Sequence, residues 1–303
     1  MLTLRQMRYF EALATALHFG RAAELVHVSQ PALSAQIREM EAHLGVTLVE
    51  RNRGNILLTR KGEEVLEHVR EVLAGVERLE HAARRGDGLL EGPVRFGIIP
   101  TVAPYLVPGL VPYLRATYPA IEVELKEAVT DRLIADLSEG RLDVVIAALP
   151  IDQEGIATRP VFRDRFFMAT ATNDQHVLMS PLSETQVDAG RLLLLEEGHC
   201  LRDQALAVCG MAGKRSLVNF GATSMATLLQ MVSHGMGMTL IPEIAVPAET
   251  SRNDIRIVPF AEPQPSRQIG LAWRRNGAGE DEIEALAQAV AATAPLGRER
   301  QAS

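Results

Sequence analysis

The chain has 303 residues, 47% of them hydrophobic and 4% aromatic, with a formal net charge of −7; that is length for two domains with packed cores. No apolar run approaches the roughly 18 residues that suggest a membrane span, and Met1-Leu2-Thr3-Leu4-Arg5 lacks the apolar core of a signal peptide. The 2 cysteines exclude a secreted disulfide scaffold, so a cytoplasmic location is expected, where a disulfide would be transient.

Charge is distributed unevenly. Residues 1–61 carry Arg5, Arg8, Arg21, Arg38, Arg51, Arg53, Arg60 and Lys61 against Glu11, Glu24, Glu39, Glu41 and Glu50, a local excess of +3 on an acidic chain. A mildly basic module on an acidic body suits contact with nucleic acid at one end. Within it, Phe10, Leu13, Leu17, Ala22, Ala23, Leu25, Leu33, Ile37, Met40 and Leu44 keep helical spacing. The pattern breaks at His27-Val28. Ser29-Gln30-Pro31 then offers an N-cap with proline in the first turn, and Gly45 closes the helix.

Two helices around a tight turn, the second bearing Gln30, Ser34, Gln36 and Arg38, predict a helix-turn-helix. Glu50–Thr59 predicts a β-wing turning at Gly54-Asn55, with Arg51 and Arg53 able to reach phosphates or a minor groove. The candidate DNA contacts are therefore Ser29, Gln30, Pro31, Ser34, Arg38, Arg51 and Arg53. Thr59-Arg60-Lys61-Gly62-Glu63 opens a helix predicted to reach about Arg85. Val65, Val69, Val72, Val76 and Leu79 fall at alternating steps of four and three, a coiled-coil seam. Such a stripe most simply meets a second copy of itself, which would set two reading heads on a two-fold-related DNA site. Gly86, Gly88 and Gly92-Pro93 mark a linker.

These residues carry a resemblance. Ala22-Ala23-Glu24-Leu25, Val28-Ser29-Gln30-Pro31-Ala32-Leu33-Ser34 and Leu44-Gly45-Val46-Thr47-Leu48-Val49-Glu50-Arg51 resemble the winged helix-turn-helix of LysR-type transcriptional regulators. The likeness extends through Gly97-Ile98-Ile99-Pro100-Thr101 and Gly235-Met236-Gly237-Met238-Thr239-Leu240-Ile241-Pro242.

In the body, apolar runs at Val94–Ile99, Ile121–Leu125, Val144–Ala148, Phe166–Thr170 and Leu192–Leu195 alternate with helical patterns such as Leu106–Leu114 and Arg132–Leu137. That alternation predicts a parallel α/β sheet. The resemblance implies a two-lobed, periplasmic-binding-protein-like α/β effector domain. The expected organisation is a DNA-binding domain over 1–58, a dimerisation helix and hinge over 59–92, and a regulatory domain over 93–303. Its first lobe takes 93–162 and 269–303, its second 163–268, with crossings near Phe162 and Ile269. Ligands in such sheets bind beyond the carboxyl ends of strands. Thr101 follows one predicted strand, and Thr130 follows another as an expected N-cap. Cys200 follows the run Leu192–Leu195.

The two cysteines sit at the ends of Cys200-Leu201-Arg202-Asp203-Gln204-Ala205-Leu206-Ala207-Val208-Cys209. The stretch between them lacks Gly and Pro and reads as helix. Nine helical steps of about 1.5 Å hold the two Cα atoms roughly 13 Å apart, whereas a disulfide needs them within about 7 Å. Joining them would require the segment to unwind. Alternatively both are small buried hydrophobes, the usual fate of free cysteine. A metal site on His199, Cys200 and Cys209 lacks paired short ligand spacings. A Cys-His hydrolase or peroxidase would rest on His199-Cys200 alone.

The segment Gly198-His199-Cys200-Leu201-Arg202-Asp203-Gln204, with Cys209 beyond and Ile98–Leu106 before, resembles the hydrogen-peroxide-sensing subgroup of the family. The resemblance implies a redox pair: Cys200 oxidised by peroxide, Cys209 resolving it as a disulfide, and dimers reoriented on the promoter. The thiolate is the nucleophile, and a helix N-terminus with His199 and Arg202 nearby would favour it. Thr101, Thr130, His199 and Arg267 are the implied peroxide-binding residues, with Arg202 and Asp203 in support, Asp203 pairing with Arg202 or another base. Closing a loop of about ten residues removes roughly 2.5–3 kcal/mol of chain freedom from the unfolded segment. Peroxide supplies far more than that.

The expected partners are double-stranded DNA, a second copy of the chain in a homodimer and then a homotetramer, RNA polymerase, hydrogen peroxide as signal, and thiol reductants for reset. No cofactor, metal, membrane or enzymatic activity is expected. A LysR-type regulator answering a small organic co-inducer, with incidental cysteines, accounts equally for residues 1–92.

Overall fold

The computed structural model describes residues 1–52, 55–84, 88–174, 176, 178–183, 187–210, 222–275 and 277–296. The chain divides into two compact units, Met1–Arg84 and Arg85–Ser303.

In the first unit α1 (Leu4–Ala16) opens with a capping box, Thr3 and Gln6 each accepting from the other's backbone amide. Helix α2 (Phe19–Leu25) is capped by the His18 ring. His27 then takes a left-handed φ of 54°, which turns the chain at the expected break. Helix α3 (Gln30–Leu44) starts at Ser29, whose side chain accepts from the Ala32 amide, and ends at Gly45 with φ 71°. Its inner face buries Leu33, Ile37 and Met40 against Phe10, Leu13, Ala22 and Leu48. Gln30, Pro31 and Arg38 are exposed on the other side.

The wing is the antiparallel pair β1 (Val49–Asn52) and β2 (Asn55–Leu58). Asn55 is already in β2, register-paired with Asn52, rather than in the turn as the Gly54-Asn55 reading had it. The Glu41 carboxylate accepts from the Leu48 and Val49 amides and so fixes the wing to α3. Helix α4 (Arg60–Arg84) begins where Thr59 Oγ1 accepts from the Gly62 amide at 2.8 Å. A β-carbon at Gly62 would drive into the Leu48 carbonyl oxygen. Gly62→Ala is therefore expected to destabilise this unit by about 1–3 kcal/mol through overpacking, despite alanine's better helix propensity. Denaturant titration of the full chain, read by helical circular dichroism, checks it, and unchanged or increased stability would contradict the close approach.

The head's own core takes part of the expected seam on α4. Leu66, Val69 and Leu73 pack into the head's own core, so Val69 serves the monomer. Val72 and Leu79 remain 43% and 70% exposed. Two stripes share one helix, because positions three or four apart on neighbouring faces are both apolar.

The second unit is built on a mixed sheet in which β4 (Ile121–Glu127), β3 (Gly92–Ile98) and β5 (Val144–Leu149) run parallel. Strand β9 (Ser266–Arg274) joins antiparallel to β5, and β6 (Ile156–Ala171) antiparallel to β9. The fully parallel sheet expected from strand–helix alternation is thus corrected. In the chain no helix separates β5 from β6 or β8 from β9, so no strand–helix alternation marks where the direction reverses. Strand β6 pairs β9 from Ile156 to Arg165, then β7 (Thr239–Pro242) and β8 (Ile255–Pro259) from Phe166 onward. Phe162 and Ile269, the expected crossing residues, are register partners across β6 and β9.

Helices α5 (Ala103–Thr117), α6 (Thr130–Ser138), α7 (Cys200–Val208), α8 (Met225–Ser233), α9 (Val246–Thr250) and α10 (Glu280–Thr293) complete the unit. Leu192–Leu195 is extended and buried but forms only isolated bridges, Leu192 to Met238 and Leu195 to Ala222, not the predicted strand. Among the described residues no helix is long and apolar enough to cross a membrane.

Candidate functional site

Strands β3 and β4 are parallel with Ile98 paired to Glu127, and the Ala128 amide donates to the Ile98 carbonyl at 3.4 Å. Thr101 and Thr130 each lie three residues beyond that register pair, so the sheet delivers them side by side at its carboxyl edge. Thr101 is buried. Thr130 is the first residue of α6, with Val129 in the N-cap position, so it is not the cap expected from sequence. Its hydroxyl is buried and has no hydrogen-bond partner among the described residues. An unmet buried hydroxyl is costly unless water or a ligand occupies it. A cavity of about 550 Å³ opens beside Thr130, lined also by Asp131, Ile134, Pro150 and Ile151.

Gly198 takes φ 92°, a left-handed turn that suits glycine. A β-carbon there would meet Val129 Cγ1 at 4.0 Å, so the turn leading into Cys200 abuts the start of α6. His199 is buried and occupies the N-cap position of α7 without a side-chain cap. Cys200 is half-buried as the first helical residue, where unsatisfied amides concentrate partial positive charge. Arg202 anchors this end: its guanidinium donates to the Leu195 carbonyl at 2.8 Å. Asp203 is exposed in the first turn and forms no ion pair among the described residues, so the suggested pairing with Arg202 is not formed. Its carboxylate still complements the helix dipole.

Cys209 follows the last turn of α7 and is buried, with Leu201 and Ala205, on one face spaced by four. Cys200 precedes that face by one residue. Nine steps of about 100° place the two cysteines on opposite sides of the helix as well as at opposite ends. Neither cysteine is in a disulfide.

Arg267 is buried, its Nη1 donating to Thr101 Oγ1 at 2.8 Å and its Nη2 to the Thr101 carbonyl at 3.3 Å. Its Nε donates to Asp164 Oδ2 at 2.9 Å. Burial pushes the Asp164 carboxyl up from its ordinary value, against the pull of Arg267 and of the Ile244 amide. The structure thus joins Thr101 to Arg267 directly and brings the Cys200 turn to the Thr130 end. No hydrogen bond among the described residues links Cys200 or His199 to the Thr101–Arg267 pair. Asp164 had no signal in the sequence. Only the β6–β9 register places it opposite Arg267.

Among the described residues no group of three or more His, Cys, Asp and Glu is arranged to hold a metal. On the candidate DNA side, Ser29 caps α3, and Ser34 lies one turn before Arg38, whose Nε donates to the Ser34 carbonyl. Arg51 lies in β1. Arg53 lies outside the described residues.

Residues 4–63 match the family described as bacterial regulatory helix-turn-helix protein, lysR family, and residues 87–295 match the LysR substrate binding domain. The DNA-binding transcriptional dual regulator OxyR of Escherichia coli is 40% identical over 291 residues, spanning 96% of this chain and 95% of that protein. The hydrogen peroxide-inducible genes activator of Haemophilus influenzae is 38% identical over 289 residues, spanning 95% and 96%. Among solved structures, a full-length OxyR variant from Pseudomonas aeruginosa matches with TM-score 0.71 at 33% identity, covering 96% of this chain and 95% of that one. A hydrogen-peroxide-bound OxyR mutant of Corynebacterium glutamicum matches with TM-score 0.63 at 34% identity, covering 96% and 94%. The chain belongs to the LysR family of bacterial transcriptional regulators and, within it, is similar over nearly its whole length to the OxyR-type hydrogen peroxide-inducible genes activators.

Proposed function

We propose that Cys200 is the peroxide sensor and that Cys209 converts its oxidation into a change of shape. The carrying observation is that the two cysteines, neither of them in a disulfide, bound a single helix, α7, from opposite ends and opposite sides. In the first step the Cys200 thiolate attacks one peroxide oxygen, the O–O bond breaks, and a sulfenic acid and hydroxide form. Thr101, Thr130, His199 and Arg267 bind the peroxide and supply hydrogen bonds to the departing hydroxide, directly or through one another. The Cys209 thiol then displaces the sulfenic hydroxyl, giving a disulfide and water. The pair closes only when α7 unwinds, because the helix holds the Cα atoms roughly 13 Å apart.

The consequence is read by DNA. Ser29, Gln30, Pro31, Ser34, Arg38, Arg51 and Arg53 contact the promoter, and a two-fold assembly seated on the exposed α4 stripe spaces the two heads. Rearranged dimers within a homotetramer alter promoter contacts and engage RNA polymerase. Cytosolic thiol reductants reverse the disulfide.

Thiol counting tests the reading. Sub-stoichiometric peroxide should remove two thiols per reacting chain without crosslinking chains; an unchanged count sinks the sensor and favours a co-inducer in the cavity beside Thr130. Cys209→Ser is expected to stop at the sulfenic acid or an overoxidised product. Intact-mass spectrometry would show one or more added oxygens in place of the loss of two hydrogens. A normal intramolecular disulfide is impossible in that variant, so retained promoter switching would remove Cys209 from the mechanism.

A further inference from the structure

Asp164 lies opposite Arg267 in the β6–β9 register, and neither side chain is more than 1% exposed. Its Oδ2 accepts from Arg267 Nε and its Oδ1 from the Ile244 amide at 3.0 Å, so the carboxylate is itself held from two elements. Phe166 stands two residues along β6, on the same face, with its ring centroid 5.8 Å from Arg267 Cζ. The guanidinium is thereby fixed in plane and direction. Its remaining nitrogens point at Thr101, where Nη1 donates to the hydroxyl oxygen.

That direction of donation has a chemical consequence. A hydroxyl has one hydrogen to give and lone pairs to receive. With Arg267 donating into Thr101 Oγ1, the threonine's own hydrogen is free to be donated elsewhere. A departing hydroxide needs such a donor. We propose that Asp164 is a positioning residue for peroxide reduction: it locks Arg267 so that Thr101 presents its O–H, as donor, to the peroxide oxygen that departs as hydroxide when Cys200 takes up the other. The inference rests on the sensor reading above. A purely structural duty for the pair is weaker, because the backbone ladder from Ile156 to Arg165 already ties β6 to β9.

The test uses the full chain with Cys209→Ser, so that only Cys200 reacts. Two second-order rates are measured: loss of thiol with hydrogen peroxide, and alkylation by iodoacetamide, which needs no proton donor. Asp164→Asn is expected to slow the peroxide reaction on the order of tenfold or more, the scale of a misplaced catalytic contact, with alkylation changed less than about twofold. Thr101→Val should slow the peroxide reaction similarly, and the double variant should be no slower than the worse single one. Equal changes in both rates, an unchanged peroxide rate, or fully additive losses would overturn the inference. If Asp164→Asn fails to fold, Arg267→Lys keeps the charge but lacks the fork and should show the same selective loss; its absence overturns the inference equally. Should Cys200 with native Asp164 and Thr101 not react with peroxide at all, the sensor reading falls and this one with it, an outcome distinct from a reactive Cys200 indifferent to Asp164.

Discussion

Replacing Cys200 with serine is expected to abolish the peroxide response while leaving promoter affinity within about twofold of the native value. Serine matches cysteine closely in size, and the backbone of α7 is pinned at this end by Arg202 on the Leu195 carbonyl, so the helix start should persist. What disappears is the nucleophile, since the attacking group is a sulfur thiolate and serine carries no sulfur. Cys209 cannot substitute, because it lies in the core beside Leu201 and Ala205. The check is paired: promoter activation with and without peroxide, and DNA binding by the same preparation at one stated salt concentration. A variant that still switches would place sensing elsewhere. One that loses DNA binding would show that the change reached beyond the sensor.

The largest stability effect is expected at Asp143. Its carboxylate accepts from Arg95 Nε at 3.1 Å, Arg95 Nη2 at 2.9 Å and the Arg95 amide at 2.9 Å, between β5 and β3 at the centre of the sheet. Burial pushes this carboxyl up, but the Arg95 hydrogen bonds and charge, with Arg274 behind them, hold it below its ordinary value. Asp143→Ala removes the carboxylate that the buried Arg95 pairs with, a loss of about 3–5 kcal/mol. Denaturant titration followed at Trp273, the chain's single tryptophan and a register neighbour of Val144, reads the effect locally. A loss under about 1 kcal/mol would mean that water or another carboxylate reaches Arg95. The pH dependence has a fixed sign. A carboxyl depressed in the folded state stabilises fully above its unfolded value of about 3.9, and loses that contribution as pH falls through the folded value. The native acid limb below about pH 4 should therefore flatten in Asp143→Ala.

Local signals in the sequence carried the head almost entirely. Ser29, Pro31 and Gly45 are capping residues whose chemistry acts within a few residues, so α3 was readable without knowing its surroundings. The same holds for Thr101 and Thr130, placed at strand ends by short apolar runs. Two misreadings are local, Thr130 taken as the cap of α6 and Asn55 taken into the wing turn; the larger ones are tertiary. Nothing local distinguishes Val69, which faces the head, from Val72, which faces out, because both sit on one apolar helix. The Leu192–Leu195 run has strand composition, yet it pairs only in single bridges, to Met238 and to Ala222, which are brought to it from distant parts of the chain. Asp164 was invisible for a stronger reason. Its partner is 103 residues away, and only antiparallel register brings them together.

Cys209 is a core side chain, and under the proposed mechanism this bears on how the signal ends. To reach Cys200 it must leave a slot packed by its neighbours, and the vacated volume costs about 1 kcal/mol for each methylene-sized group withdrawn. That cost falls on the oxidised state alone. Under the proposed mechanism the disulfide would then be a loaded spring whose release favours the thiols, which eases its clearance by thiol reductants. The depth of that slot would then set how long the promoter stays switched after peroxide is gone.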